Sequence, residues 1–229
     1  MPCSAKPVPT GISATSLAGG AANYCAVLTS GAIDCWGDNS YGEVGDGSNS
    51  GPVATPTSTG VSGTSVVTNG ESVCAILTSG GVDCWGASFD GQLGDGSGSG
   101  PDTCSFDSLP CDPTPSPTGV SATSLVADYV GFCAILTSGG VDCWGDNTEG
   151  ELGVGTTTGP DLCLTDATPC STSPVSTGLT ATDLASAGQS FCAVLDSGAV
   201  DCWGSGFDGS LGDGSTDNSD VPVPVVGIP

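Results

Sequence analysis

The chain has 229 residues, with 25 acidic side chains against one basic residue, Lys6, no histidine and a net charge of −24. No cationic surface is present to displace counterions from phosphates, which excludes nucleic acid and anionic membrane surfaces as partners. With no histidine and one lysine, any catalysis would have to rest on carboxylates alone.

The thirteen cysteines, in a chain without histidine, read as disulfides and point to an oxidising, extracellular or cell-surface setting. Scarce lysine and arginine leave trypsin-like proteases almost nowhere to cut. No stretch approaches the length of a transmembrane helix. No basic, apolar export signal opens the chain, so Met1 is expected not to start the primary translation product. High glycine, serine and threonine content is compatible with disorder, but a regular apolar pattern argues for a folded array.

In chain order, TGISATSLAGG predicts a short apolar strand and a glycine turn. Residues 24–28 and 32–36 predict two further strands by alternation and β-branching. Between them, Thr29-Ser30-Gly31 reads as a three-residue hairpin loop with Gly31 left-handed. Counting outward from that loop pairs Leu28 with Ala32, Val27 with Ile33, Cys25 with Cys35, and Tyr24 with Trp36. Directly opposed residues have α-carbons roughly 4.5 to 5.5 Å apart, within disulfide reach. Such a crosslink contributes about 2–3 kcal/mol, and an aromatic cross-strand pair about 0.2–1 kcal/mol. DNSYGEVGDGS follows, with glycines marking tight turns around one apolar residue, Val44. No apolar period of 3.6 appears, so the chain is expected to be all-β.

The same unit recurs three times. CAVLTSGAIDCWG at Cys25 returns as CAILTSGGVDCWG at Cys74 and Cys133 and as CAVLDSGAVDCWG at Cys192. This predicts Cys74–Cys84, Cys133–Cys143 and Cys192–Cys202 as further staples, with Trp85, Trp144 and Trp203 beside them in the core like Trp36. The first cysteines are 49, 59 and 59 residues apart. A second marker, Gly11, Gly60, Gly119, Gly178 and Gly227, is spaced 49, 59, 59 and 49. The extra residues of the two long repeats each hold a C-x6-C pair, Cys104 with Cys111 and Cys163 with Cys170. They read as loop insertions on a stacked-repeat scaffold.

The expected organisation is one array over 1–229, with units at 7–55, 56–114, 115–173 and 174–221. Residues 222–229 are read as the first strand of a further unit. Cys3 stands eight residues before Gly11, as Cys111 and Cys170 stand before Gly119 and Gly178. It is therefore unpaired within the chain or bridged to another, as half of an insertion whose first cysteine lies upstream. The ragged ends leave three readings open: a piece of a longer repeat protein, a protomer that completes its array with a neighbour, or a self-contained ring with a spare tail.

The string C-A-[VI]-L-x-S-G-x-[VI]-D-C-W-G-x-x-x-x-G-x-[LV]-G-x-G resembles the repeat of the regulator of chromosome condensation family. The resemblance covers all four copies and implies a β-propeller of four-stranded blades, typically seven in that family. Cys25, Cys74, Cys133 and Cys192 stand where the family usually has histidine, which is similar to its secreted bacterial branch. The propeller-type β-lactamase inhibitor is a related secreted protein. The eukaryotic founder's nucleotide exchange and chromatin contacts find no support in so acidic a chain.

The acids Asp34, Asp83, Asp142 and Asp201 recur at one blade position, which reads as structural, and no catalytic residue is expected. DNSYGEVGDG and DGSTDNSD gather oxygen ligands but lack calcium-loop spacing. No cofactor or dedicated metal site is expected; calcium binding would be incidental. The resulting expectation is a non-enzymatic, self-assembling structural protein whose partners are further copies of itself. The alternative is a secreted protein-binding module or enzyme inhibitor that uses its blade loops. Neither involves nucleic acid or membrane insertion.

Overall fold

A computed structural model describes residues 11–104, 108–163 and 167–227. Cys3 lies outside the described residues. Within them the fold is all-β, and the one helical turn is Phe207–Gly209. The strands are β1 (Ala14–Gly19), β2 (Asn23–Leu28), β3 (Ala32–Gly37), β4 (Val53–Thr68), β5 (Ser72–Leu77), β6 (Gly81–Ala87), β7 (Asp102–Thr103) and β8 (Pro110–Ala127). They continue as β9 (Gly131–Leu136), β10 (Gly140–Asp146), β11 (Asp161–Leu162), β12 (Pro169–Ala187), β13 (Ser190–Leu195), β14 (Val200–Gly204) and β15 (Ser219–Pro224).

All neighbours pair antiparallel and group into four four-stranded blades. Blade 1 is β1-β2-β3 plus the front of β4; the rear of β4 opens blade 2 against β5. β8 and β12 are shared between blades in the same way. The inner strands lie side by side around a common space lined by Leu17, Val66, Val67, Leu125, Val126 and Ser186. The short strands β7 and β11 pair with β8 and β12 inside the two insertions.

The hairpin register is the one counted from the Ser-Gly loop: Tyr24 opposes Trp36, Cys25 opposes Cys35, and Val27 opposes Ile33. Gly31 has φ +88°, and its amide donates to the Leu28 carbonyl at 2.8 Å. This closes a turn that a β-carbon would strain.

The blade limits differ from those expected. The marker glycines Gly60, Gly119 and Gly178 (Gly60 at φ +82°, for instance) lie within the strands that close the preceding blades. Just before Gly60, Thr59 Oγ1 donates to the Ile33 carbonyl at 3.0 Å, and Thr118 and Thr177 do the same to Val82 and Val141. The next blade begins only where Gly63 pairs with Leu77. The C-terminal strand is therefore not spare. β15 pairs with β14, Val223 opposite Cys202 and Pro224 opposite Asp201, and closes blade 4.

The core lies between blades, not within them. Successive residues of a strand face opposite sides of its sheet. Cys25, Val27, Ile33 and Cys35 face blade 2, and meet Val66, Val73, Ala75 and Trp85 on that blade's opposite face. The next junctions repeat this arrangement, with Cys74 and Cys84 against Phe132 and Trp144, then Cys133 and Cys143 against Phe191 and Trp203. Each blade thus has a trailing face carrying a disulfide and a leading face carrying a tryptophan.

Candidate interaction surface

The structure pairs Cys25 with Cys35, Cys74 with Cys84, Cys133 with Cys143 and Cys192 with Cys202, with α-carbons 4.1, 4.1, 4.1 and 4.0 Å apart. Cys104–Cys111 and Cys163–Cys170 close the insertions at 5.8 and 5.9 Å. Six disulfides are the chemistry of an oxidising compartment. No helix of the described residues is long and apolar enough to cross a membrane.

At every internal junction the tryptophan is locked by the turn that follows Trp-Gly in the preceding blade. Trp85 Nε1 donates to the Glu43 carbonyl at 2.8 Å, Trp144 to Gln92 at 2.9 Å and Trp203 to Glu151 at 2.8 Å. The indole lies flat against a glycine of that turn. A β-carbon on Gly45 would stand 2.7 Å from Trp85 Nε1, which explains the second glycine of G-x-[LV]-G. Beyond it the turn reaches onto the next blade's outer strand, where Gly47 N donates to the Pro113 carbonyl, Gly96 N to Thr172 and Gly155 N to Asp220.

The same positions in blade 1 have no blade before them among the described residues. Leu17 is 64 % exposed and Tyr24 47 % exposed, whereas Val66, Leu125 and Leu184, and Val73, Phe132 and Phe191, are buried at the equivalent sites. Trp36 stacks on Tyr24 at 5.8 Å and is half-buried, while Trp85, Trp144 and Trp203 are buried. Among the described residues, the leading face of blade 1 therefore presents Leu17 and Tyr24 to solvent.

The trailing end of blade 4 is different. Leu211 is buried, and the side chain of Val225 approaches Gly212 as a tryptophan approaches the equivalent glycines elsewhere. Val226 N donates to the Gly212 carbonyl at 2.9 Å. Val226 stands where Thr59, Thr118 and Thr177 stand in the other repeats and has no hydroxyl for the strand carbonyl. The chain here turns toward its own blade end and covers it.

The recurrent acids Asp34, Asp83 and Asp142 lie on the third strands opposite Ser58, Pro117 and Ser176, and Asp201 lies opposite Pro224. Burial raises the pKa of Asp83 and Asp142. They are spread one per blade. In the DNSYGEVGDG loop, Asp38 Oδ1 accepts from Ser40 N and Asp46 Oδ1 from Ser48 N; in DGSTDNSD, Asp213 Oδ1 accepts from Ser215 N. These carboxylates hold turns. Among the described residues no three His, Cys, Asp or Glu side chains are arranged to hold a metal ion.

Sequence reasoning missed two buried glutamates. Glu43 and Glu151 occupy the turn position that is Gln92 in blade 2 and use one carboxyl oxygen as Gln92 uses its amide oxygen, accepting from the backbone N–H two residues earlier. Burial pushes Glu43 up to about 7 and Glu151 up to about 8. Among the described residues, Glu151 Oε1 is buried without a hydrogen-bond partner. Aligning GEVG, GQLG and GELG shows the signal: a neutral side chain fits one copy, so the acids fit best in their protonated form.

Among known proteins, the family model "Regulator of chromosome condensation (RCC1) repeat" matches residues 14–43. No curated protein matches the chain. A solved structure of Kap60 bound to yeast RCC1 (Prp20) superposes with TM-score 0.75 at 17 % identity, covering 96 % of this chain and 50 % of that one. Prp20p from Saccharomyces cerevisiae, studied with its binding to Gsp1p and histones, gives 0.74 at 17 % over 96 % and 52 %. Human WBSCR16 gives 0.70 at 21 % over 92 % and 52 %. The chain therefore spans about half the length of these structures. Residues 14–43 thus match one repeat of the regulator of chromosome condensation type, and the chain shares the β-propeller fold of these structures.

Proposed function

We propose that this protein is a non-enzymatic, extracellular structural component that assembles head to tail. The leading face of blade 1 in one copy takes the trailing end of blade 4 of the next. The observation that carries this reading is the exposure of Leu17 and Tyr24, with Trp36 half-buried beside them, on a face whose three internal equivalents are each covered by another blade's turn. Heterologous contacts of this kind generate rings or fibres according to whether the rotation closes. Docking exchanges Val225 for the neighbour's Trp36 at Gly212. Six disulfides and a nearly lysine- and arginine-free sequence support exposure to an oxidising, protease-containing medium.

Sedimentation velocity and electron microscopy of the full chain test this. Assemblies that grow with concentration and disappear in Leu17→Asp are expected. A monomer at all concentrations, or assembly unchanged in Leu17→Asp, overturns the reading.

A second reading, a protein-binding module using blade loops, is favoured by the two disulfide-closed insertions at the same place in blades 2 and 3. It also draws on the yeast relative's described partners, Kap60, Gsp1p and histones. A monodisperse monomer that captures one protein through those insertions would favour it over assembly.

A further inference from the structure

We propose that the cleft between blades 3 and 4 binds a neutral oligosaccharide. The cleft encloses about 500 Å³, within the range of small-ligand sites. It is flanked by two aromatic rings that the fold leaves in solvent: Tyr129, 73 % exposed, from the turn between β8 and β9, and Phe207, 75 % exposed, from the turn after β14. Between them Glu149, Gln189, Ser205 and Asn218 line the walls.

The earlier junction between blades 1 and 2 shows why this one is open. There the corresponding positions are Tyr41 and Phe89, which meet edge to face with ring centroids 5.6 Å apart and fill the space. Between blades 3 and 4 the partner of the phenylalanine position is Glu149. The carboxylate does not cover the ring, so Phe207 stays bare and a cleft remains. The two blades are held together at the site by the Tyr129 amide, which donates to the Gly188 carbonyl at 3.0 Å, and by Ser186 Oγ to Ala127 at 2.5 Å.

The chemistry of the walls selects the ligand. A pyranose offers an apolar face of C–H bonds and a rim of hydroxyls. The electron-rich face of an aromatic ring accepts the former. The rim needs donors and acceptors in mixed array. The side chains of Gln189 and Ser205 make no hydrogen bond among the described residues, so both are free to supply them. Glu149 is held by Asn218 Nδ2, and Asn218 Oδ1 accepts from Gly206 N at 3.0 Å. The carboxylate is thus oriented, with a second oxygen available to sugar hydroxyls. A net charge of −24 repels uronic or sulfated sugars and leaves neutral ones. The site is formed within one copy, from blades 3 and 4 alone.

Isothermal titration of the full chain with cellohexaose, maltohexaose and an oligogalacturonate tests the assignment. Binding of at least one neutral hexasaccharide is expected, with affinity reduced about tenfold or more in Phe207→Ala and Tyr129→Ala, equivalent to about 1.4 kcal/mol or more. Both rings are solvent-exposed, so the melting temperature should hold and separate lost binding from lost folding. No heat with either neutral sugar at millimolar concentration, undiminished binding in both variants, or tighter binding of the oligogalacturonate would overturn it.

Discussion

An internal blade junction and the leading face of blade 1 are made of equivalent residues in two states. At the junction between blades 2 and 3, Phe132 and Trp144 are buried against the Cys74–Cys84 staple, and the indole donates to the Gln92 carbonyl. At the leading face, Tyr24 and Trp36 stack in the same way but meet no such turn among the described residues. The cross-strand aromatic pair therefore forms without a neighbouring blade, because hairpin register alone brings it together. Burial, and most of its stabilisation, depends on the next blade. Stability in this array is a property of junctions.

The largest test of that contrast replaces the two tryptophans. Trp144→Ala should cost about 3–5 kcal/mol by opening a cavity and orphaning the Gln92 carbonyl. Trp36→Ala should cost about 1 kcal/mol or less in the dilute protein. Thermal melts followed by circular dichroism compare them; equal losses would break the distinction between a covered and an open face.

Disulfides sharpen it next. Replacing Cys133 and Cys143 together by serine should cost about 2–4 kcal/mol, since the loop constraint is lost and two polar hydroxyls replace apolar sulfurs in the core between blades 3 and 4. The same change at Cys163 and Cys170 removes only an insertion staple and should cost less, about 2 kcal/mol. Denaturant midpoints of the two double variants decide the order.

The smallest effect concerns the turn that locks each tryptophan. A glutamate whose folded pKa lies above its ordinary 4.5 keeps its proton longer folded than unfolded. Its contribution is fully present below about pH 4.5 and is lost as pH rises through about 7 for Glu43 and about 8 for Glu151. Stability should therefore fall across that window. Glu151→Gln, which copies Gln92, should gain about 1–2 kcal/mol at pH 8 and almost nothing at pH 4. A variant whose pH profile parallels the parent's would show that Glu151 is not the titrating group.

Much of this was legible in the sequence. The Ser-Gly loop sets hairpin register, and register places Cys25 opposite Cys35 and Tyr24 opposite Trp36. The repeat interval separates scaffold from insertion. Other features were not legible. The marker glycines recur once per repeat but do not say which blade owns the strand around them, so residues 222–224 read as an opening strand although they close blade 4. The burial of the acids of GEVG and GELG is not visible in the sequence, because a turn's burial is set by the blade that follows it. Nothing in the sequence sets Phe207 apart, because its exposure follows from Glu149, a residue 58 positions away in sequence.

The sequence by itself determined what is local: strand alternation, loop length and the opposed cysteines, all properties of φ, ψ and a period of two along one hairpin. Only the tertiary structure decided which face of each hairpin is covered, which carboxyls lose water and which cleft stays open. Those depend on residues from different blades meeting across a junction, where burial is decided by both partners at once.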